Sequence, residues 1–461
     1  MITPSEIQAA RRCITIALEN GASASRVCLT KSVNDTCTML NSELDKVTHS
    51  ADRSVYIYLY VDGRYGTFST NRLEEAELEA FIIKAIGMVR MLGEDLCRTL
   101  PDPSRTATDA KSGLELGLYD AAYEGTDADA RLHTAESLSI YGSLAAGEDG
   151  FIETDGRRFR LISEECEYAD SIDDIYTVDS QGFEGRHTET SFNCFTEMTI
   201  EDTEGNKYSS FWWEASPFIK DIHGQECSRT ALQKAISQIG PKNRRSGLYR
   251  MVVDTAVASK LISPILSALN ASSIQQKMSF LEDSIGKRMF PEGFTLMDYA
   301  RTPGRTGARL FDTEGVATKD APIIENGIVR QYFVNTYMAN KMHIAPTVED
   351  ITRPCVLPYL RDEAIHSGSI SRQDILRRCG NGILVTGFNG GNCNPTTGDF
   401  SFGVEGFAFR RGRITHPVRE MLITGNLLTL WNSLLAAATD ARPSTRWQIP
   451  TLAFDAVSFS A

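Results

Sequence analysis

The sequence predicts an α+β protein: a mixed α/β N-terminal part with helix-hairpin-helix units, and a β-rich, barrel-like C-terminal domain. Three observations predict it. Helical spacing with capping signals opens the chain and returns at residues 73–92. Aromatic and β-branched runs separated by glycine turns lie between these helices. From Gly247 onward glycine becomes dense and the apolar runs become short.

In chain order, Thr3-Pro4-Ser5-Glu6 reads as a capping box with proline at the first helical position. Ile7, Ala10, Ile14, Ala17 and Leu18 follow on one face, and Gly21 closes the helix. Residues 53–61 (RSVYIYLYV) form a strand, Asp62-Gly63 a hairpin turn, and residues 64–69 the return strand. A second helix spans 73–92. Residues 100–112 (LPDPSRTATDAKS) are polar with two prolines and read as a linker. Residues 128–146 read as helix. A second β unit runs over 151–218, with a Glu204-Gly205-Asn206 turn before KYSSFWW, and a helix covers 226–239. Short strands follow at 248–253, 327–334, 382–386, 400–409, 413–418 and 421–424. The expected organisation is thus an α/β unit at 1–99, a linker at 100–112, a second α/β unit at 113–222 and a β-rich domain at 223–461.

Composition narrows the function. The 461 residues are 42% hydrophobic and 23% charged, which suits a large buried core. A net charge of -13 speaks against direct nucleic-acid binding, which needs clustered Lys and Arg to displace phosphate counterions. No stretch of eighteen apolar residues suggests a membrane helix, and the N-terminus lacks the pattern of a signal peptide. A cytoplasmic location is expected, with the ten scattered cysteines as free thiols.

Several chemistries have no local signature. The seven histidines (49, 133, 187, 223, 343, 366, 416) never fall at the i, i+4 or i, i+5 spacing that offers two imidazoles to one zinc. There is no G-x-S-x-G elbow and no phosphate-binding loop. The densest polar and glycine-rich segment is 387–403, GFNGGNCNPTTGDFSFG. Glycines admit close backbone approach, while Asn, Thr and Asp offer donors and acceptors. Asn389, Asn392, Cys393, Thr397 and Asp399 are therefore the candidates for lining a substrate cleft. Cys393 with Asp399 and His416 has the residue types of a nucleophile set. An inert cysteine in a turn between core strands is the favoured reading. Phe211-Trp212-Trp213 reads as core or interface packing, and Lys242 to Arg245 as a solvated loop.

Several ordered blocks carry a resemblance. Phe311-Asp312-Thr313-Glu314-Gly315-Val316-Ala317-Thr318, then Ile324-Glu325-Asn326-Gly327, resembles the "F-D-x-E-G-x-x-T … I-x-x-G" block of the TldD/PmbA family. Gly398-Asp399-Phe400-Ser401-Phe402-Gly403 resembles its "T-G-D-(F/Y)-S-x-G" block. Ile414-Thr415-His416-Pro417-Val418 and Gly425-Asn426 resemble its ending, and Gly247-Leu248-Tyr249-Arg250-Met251-Val252-Val253-Asp254 its "G-x-Y-x-V-V-x-D" strand. In the TldD arm of that family, a helix after this strand carries His-Glu-x-x-x-His, the zinc ligands and general base. Here Ser263, Pro264 and Ala268 stand at those positions. The TldD arm also places a cysteine ligand near its C-terminus, whereas the last cysteine here is Cys393. Gln276-Lys277-Met278-Ser279-Phe280-Leu281 resembles the "K-x-S-F-L" of the PmbA (TldE) arm.

The resemblance implies a non-catalytic, PmbA-type subunit. Its partner would be a TldD-type zinc metallopeptidase subunit, and the pair would take unfolded peptide in a cleft. No catalytic residue, metal ligand or cofactor is expected in this chain, with zinc only in the partner. A homodimer, formed through the C-terminal half, is expected when the chain is alone. Family members are also described as modulators of DNA gyrase and as factors in antitoxin degradation and microcin maturation; the acidic balance argues that any gyrase link is indirect. Two other readings stay open on the sequence: a stand-alone peptide-binding homodimer, and an active metallopeptidase with unconventional ligands.

Overall fold

The computed structural model describes residues 1–154, 156–361, 363 and 368–461. The chain divides into two compact units. The first comprises Met1–Ile239 with Arg301–Thr318, and the second Gly240–Ala300 with Lys319–Ala461.

The first unit starts with α1 (Pro4–Glu19), whose capping box is present: the Thr3 hydroxyl accepts from the Glu6 amide and the Glu6 carboxylate from the Thr3 amide. Strands β1 (Ala24–Leu40), β2 (Glu43–Val61) and β3 (Arg64–Thr70) follow, with the expected turn at Asp62-Gly63. Then come α2 (Glu75–Val89), α3 (Ala128–Leu138), β4 (Ile152–Thr154), β5 (Arg157–Asp179), β6 (Glu184–Asp202), β7 (Lys207–Ser216) and α4 (Gly224–Ser237). The strands form one antiparallel sheet in the order β3-β2-β1-β5-β6-β7, with β4 on β5. This is where the expected separation of 1–99 from 113–222 fails: β1 pairs with β5 from Arg26↔Asp179 to Leu40↔Glu165, so the two stretches share one sheet. Helix α4 packs on the same sheet, which moves the boundary from 223 to the end of residue 239.

Side-chain alternation sets the faces. Val27, Leu29, Val55, Ile57, Leu59, Tyr176 and Val178 pack under α1 and α2. Cys37, Met39, Cys166, Tyr168, Phe192 and Cys194 continue the same face around α3 and α4. Three buried carboxylates on β5 secure this layer. Asp174 accepts from the Ile2 amide at 2.7 Å, from Arg186 and from Thr188. Asp170 takes a bidentate pair from Arg131 of α3, at 2.8 and 2.9 Å. Glu164 accepts from Ser139 and from the amides of Ile140 and Tyr141. That last cluster ends α3 at Leu138, short of the predicted 146, because the next amides bond to a carboxylate instead of continuing the helix. Residues 100–112 are no free linker: Leu100, Ala107 and Ala110 are buried, and Ala107 and Ala110 pack with Leu310 and Phe311.

Glu6 makes α1 sensitive to acid. Burial alone would raise its pKa, but the Thr3 amide, Arg53, the Thr3 hydroxyl and Lys31 together hold it down at about 2. Its folded value lies below its unfolded value, so its stabilisation is present above roughly pH 4.3 and is lost as pH falls toward 2. Amide protection of α1, read by hydrogen exchange, is expected to fall over that window in the wild type. Glu6→Gln should show the lower protection already at neutral pH, with a flat profile.

The second unit contains β8 (Gly247–Val253), α5 (Ser259–Ala268), α6 (Ala271–Gln275), β9 (Leu296–Asp298), β10 (Ala321–Glu325), β11 (Ile328–Val329), α7 (Thr336–Met342), β12 (Pro354–Val356) and β13 (Tyr359–Leu360). It ends with α8 (Arg372–Cys379), β14 (Gly382–Cys393), β15 (Asp399–Arg410), β16 (Arg413–Asn426), α9 (Leu427–Asn432), β17 (Leu434–Ala437) and β18 (Leu452–Ser460). The order β18-β16-β15-β14-β8 closes on itself because β18 also pairs with β8, giving a five-stranded barrel. Only β8 and β14 run parallel. The apolar faces of these strands meet α5 and α9 in one core that includes Trp431. A smaller sheet, β11-β10-β9-β12, lies beside it in the sequence. The strand predicted over 327–334 reduces to β11, while the two predicted at 413–418 and 421–424 are one strand, β16, with an irregularity opposite Val404 to Gly406. All ten cysteines are free. No helix among the described residues is long and apolar enough to cross a membrane.

Candidate functional site

The glycine-rich segment 387–403 forms the β14–β15 hairpin. Its strands pair as Asn389↔Gly403, Asn392↔Ser401 and Cys393↔Phe400, with a bulge between Asn389 and Asn392. Gly390 and Gly391 absorb the bulge at φ +71° and +88°. A Cβ on Gly391 would lie 2.0 Å from the Ser401 carbonyl oxygen, so this position admits only glycine without backbone movement.

The turn is tied down by its own side chains. The Thr397 hydroxyl donates to Asp399 Oδ2 at 2.7 Å, and Asn426 Nδ2 donates to Asp399 Oδ1 at 3.0 Å and to the Thr397 carbonyl at 2.8 Å. The Asn426 and Thr397 hydrogen bonds hold the Asp399 carboxyl below its usual range, so it is an anion at neutral pH. Phe280 caps the turn: its amide donates to the Pro395 carbonyl at 3.0 Å, and its ring lies against Gly398.

The five sequence candidates divide into two groups. Thr397 and Asp399 meet at the turn, with half-buried Cys393 beside them. Asn389 sits beyond the bulge, exposed and bonded to Glu405 Oε2 at 3.2 Å; Asn392 is exposed between them. Burial, then the Asp399 charge, pushes the Cys393 thiol up, which disfavours the thiolate a nucleophile needs. His416 is not part of this site. It pairs with Ala408 while Asn426 pairs with Asp399, so nine strand residues, roughly 30 Å, separate it from the turn. The structure therefore does not assemble a Cys393–Asp399–His416 set. Asn426 and Phe280 were missed as parts of the site, although both lie in blocks that signalled them: Gly425-Asn426 and the Ser279-Phe280 pair.

Helix α5 packs Leu261, Ile262, Ile265 and Leu266 into the core. Ser263 is exposed, Pro264 half-buried inside the helix, and Ala268 buried. Neither the Ser263 hydroxyl nor the apolar Pro264 and Ala268 can serve as a zinc ligand or strong base at neutral pH, so these residues do not fit a zinc ion. Among the described residues no three His, Cys, Asp or Glu side chains group as a metal site; His366 lies outside them. Of the aromatic run in β7, Trp212 packs into the core while Phe211 is exposed and stacks on Phe195 at 5.9 Å.

Comparison with known proteins matches both ends of the chain. Residues 246–461 match the PmbA/TldA metallopeptidase C-terminal domain, and residues 26–89 match PmbA/TldA metallopeptidase domain 1. The chain is 27% identical to the metalloprotease PmbA homolog of Haemophilus influenzae, over 98% of this chain and 95% of that one. It is 37% identical to a protein of Bacteroides thetaiotaomicron whose crystal structure is described as that of a candidate modulator of DNA gyrase, with a TM-score of 0.91 over the whole of both chains. TldE from Thermococcus kodakarensis shares the fold, with a TM-score of 0.78 at 16% identity, over 98% of this chain and all of that one.

Proposed function

The chain belongs to the TldD/PmbA family, and on that premise we propose that it is the non-catalytic, PmbA (TldE)-type subunit of a zinc-metallopeptidase complex. The observation that carries this reading is the composition of α5. A peptidase of this family needs two imidazoles and a carboxylate on that helix, and Ser263, Pro264 and Ala268 supply none. Proteolysis then resides in a TldD-type partner, which holds the zinc, while this subunit helps to grip unfolded peptide.

The β14–β15 hairpin is the surface proposed for that grip. Exposed Asn389 and Asn392 offer amide donors and acceptors that suit an extended peptide backbone, and Asp399 is a fixed anion at the turn of the same hairpin. The hydrogen-bonded turn, rigid before the peptide arrives, lowers the ordering cost of binding. In the absence of the partner, the chain would pair with a second copy through its C-terminal half.

Coexpression with a TldD-type chain, separation of the subunits and metal analysis of each tests the assignment. Stoichiometric zinc is expected in the partner only. Stoichiometric zinc in this chain alone would overturn the reading in favour of an active metallopeptidase with unconventional ligands. Asn389→Ala with Asn392→Ala should together weaken binding of β-casein peptides by the complex by roughly 30-fold, about 1 kcal/mol per lost hydrogen bond at each of the two positions. Unchanged affinity would remove the hairpin from the peptide path.

A further inference from the structure

The face of the N-terminal sheet that points away from α1 to α4 carries a buried cation without a matching anion. Arg26 of β1 stands opposite Tyr58 of β2, with its guanidinium 4.3 Å from the Tyr58 ring centroid. Next to them Tyr60 and Tyr65, also cross-strand partners, have ring centroids 5.1 Å apart, and Arg98 lies over Tyr65 at 4.9 Å. Arg26 keeps only 5% of its surface open, and its Nε has no hydrogen-bond partner. Among the described residues no carboxylate lies within ion-pair distance of it.

On the other flank an acceptor is left over. Asp179 of β5 is the register partner of Arg26. Its Oδ1 accepts from the amides of Gln181 and Phe183 at 2.8 and 3.0 Å, while its Oδ2 is buried with no partner. The charge of Glu314, on the turn that Asp312 closes by accepting from the amides of residues 314 and 316, also bears on Arg26. A buried guanidinium and a buried carboxylate oxygen, each with an unfilled hydrogen-bond position, are normally satisfied. An aromatic face neutralises part of a cation but accepts no N–H in its plane. A simple anion would suit Arg26 but would be repelled by Asp179 and Glu314. A ligand carrying both an oxyanion and an N–H donor satisfies both sides.

We propose that Arg26 and Asp179 form a binding site for a small zwitterion of the amino-acid type, with its carboxylate on the Arg26 guanidinium, its ammonium toward Asp179 Oδ2, and the Tyr58, Tyr60 and Tyr65 rings as walls. The fork geometry of the guanidinium matches a carboxylate. The site lies wholly in the first unit and is independent of the peptide-binding hairpin.

The test is titration of the full chain with glycine, acetate and inorganic phosphate, followed by saturation-transfer NMR from the tyrosine rings and by tyrosine fluorescence. Glycine should bind saturably and give ring-to-ligand transfer, with acetate and phosphate binding at least about tenfold more weakly. Arg26→Met replaces the buried charge by a chain of similar length and is expected to fold, since such replacements are often neutral for stability. It and Asp179→Asn should each weaken glycine binding by on the order of tenfold or more. Should either variant fail to fold, the wild-type transfer spectrum and the glycine-to-acetate ratio still decide. Absence of saturable glycine binding to the folded wild type, equal binding of acetate, or unchanged glycine affinity in folded Arg26→Met would each overturn the proposal.

Discussion

Asp174→Ala is expected to destabilise the first unit by about 3–5 kcal/mol, the usual cost of removing one partner from a buried ion pair. Asp174 is 1% exposed and accepts from the Ile2 amide, the Arg186 guanidinium and the Thr188 hydroxyl. Its removal strands the Arg186 charge beneath the sheet face and frees the chain just before α1. Arg186 also donates to the Ile2 carbonyl at 3.1 Å, so the start of the chain loses its anchor on both sides. Urea unfolding resolved by hydrogen exchange should show lost protection in α1 and β5, with the barrel strands unaffected. Asp174→Asn keeps an acceptor and should lose less. A change below roughly 1 kcal/mol in Asp174→Ala would mean that water reaches Arg186 and replaces the carboxylate.

Trp431→Ala is expected to cost the second unit a similar amount, about 3–5 kcal/mol, through a cavity and not a charge. Trp431 of α9 is fully buried, with ring centroids of Phe294 at 5.0 Å, Phe454 at 5.5 Å and Phe290 at 6.4 Å. Its indole N–H donates to the Leu261 carbonyl of α5 at 3.3 Å. It therefore joins α9, the closing barrel strand β18 and the helix on which the functional assignment turns. The lower melting transition should appear in the barrel alone, and Trp431→Phe should recover most of it by refilling the space. Equal loss in Trp431→Phe and Trp431→Ala would locate the effect in the hydrogen bond to Leu261 instead of the packing.

Asp174 also explains why much of the first unit was illegible. β5 is a 23-residue strand whose buried positions include Glu164, Asp170 and Asp174. An acidic residue at every second or third buried position erases the apolar alternation by which a strand is recognised. Their partners, Arg131, Arg186 and the amides after α3, are 12 to 39 residues distant or on other elements, so nothing local marks the carboxylates as satisfied. By contrast α1, the Asp62-Gly63 turn and β8 were legible because capping, turn chemistry and β-branched runs act over a few neighbouring residues.

The hairpin at 387–403 shows the same division within the candidate site. Its glycines signalled an unusual backbone, and the close approach of Gly391 to Ser401 is the reason for them. The sequence could not show that Asp399 is held by Asn426, which comes from the far end of β16, or that His416 is carried to the other end of the barrel strand.

By itself, then, the sequence determined the mixed α+β character, the family and the absence of histidine and glutamate from α5, since each rests on residue identity or on spacing within a few turns. Only the tertiary structure decided that the two N-terminal stretches share one sheet, that residues 301–318 return to the first unit, that five strands close a barrel, and which polar side chains meet. Those outcomes depend on pairing between segments far apart in the chain, where strand register and the need to satisfy buried charge select among many alternatives that local periodicity leaves equal.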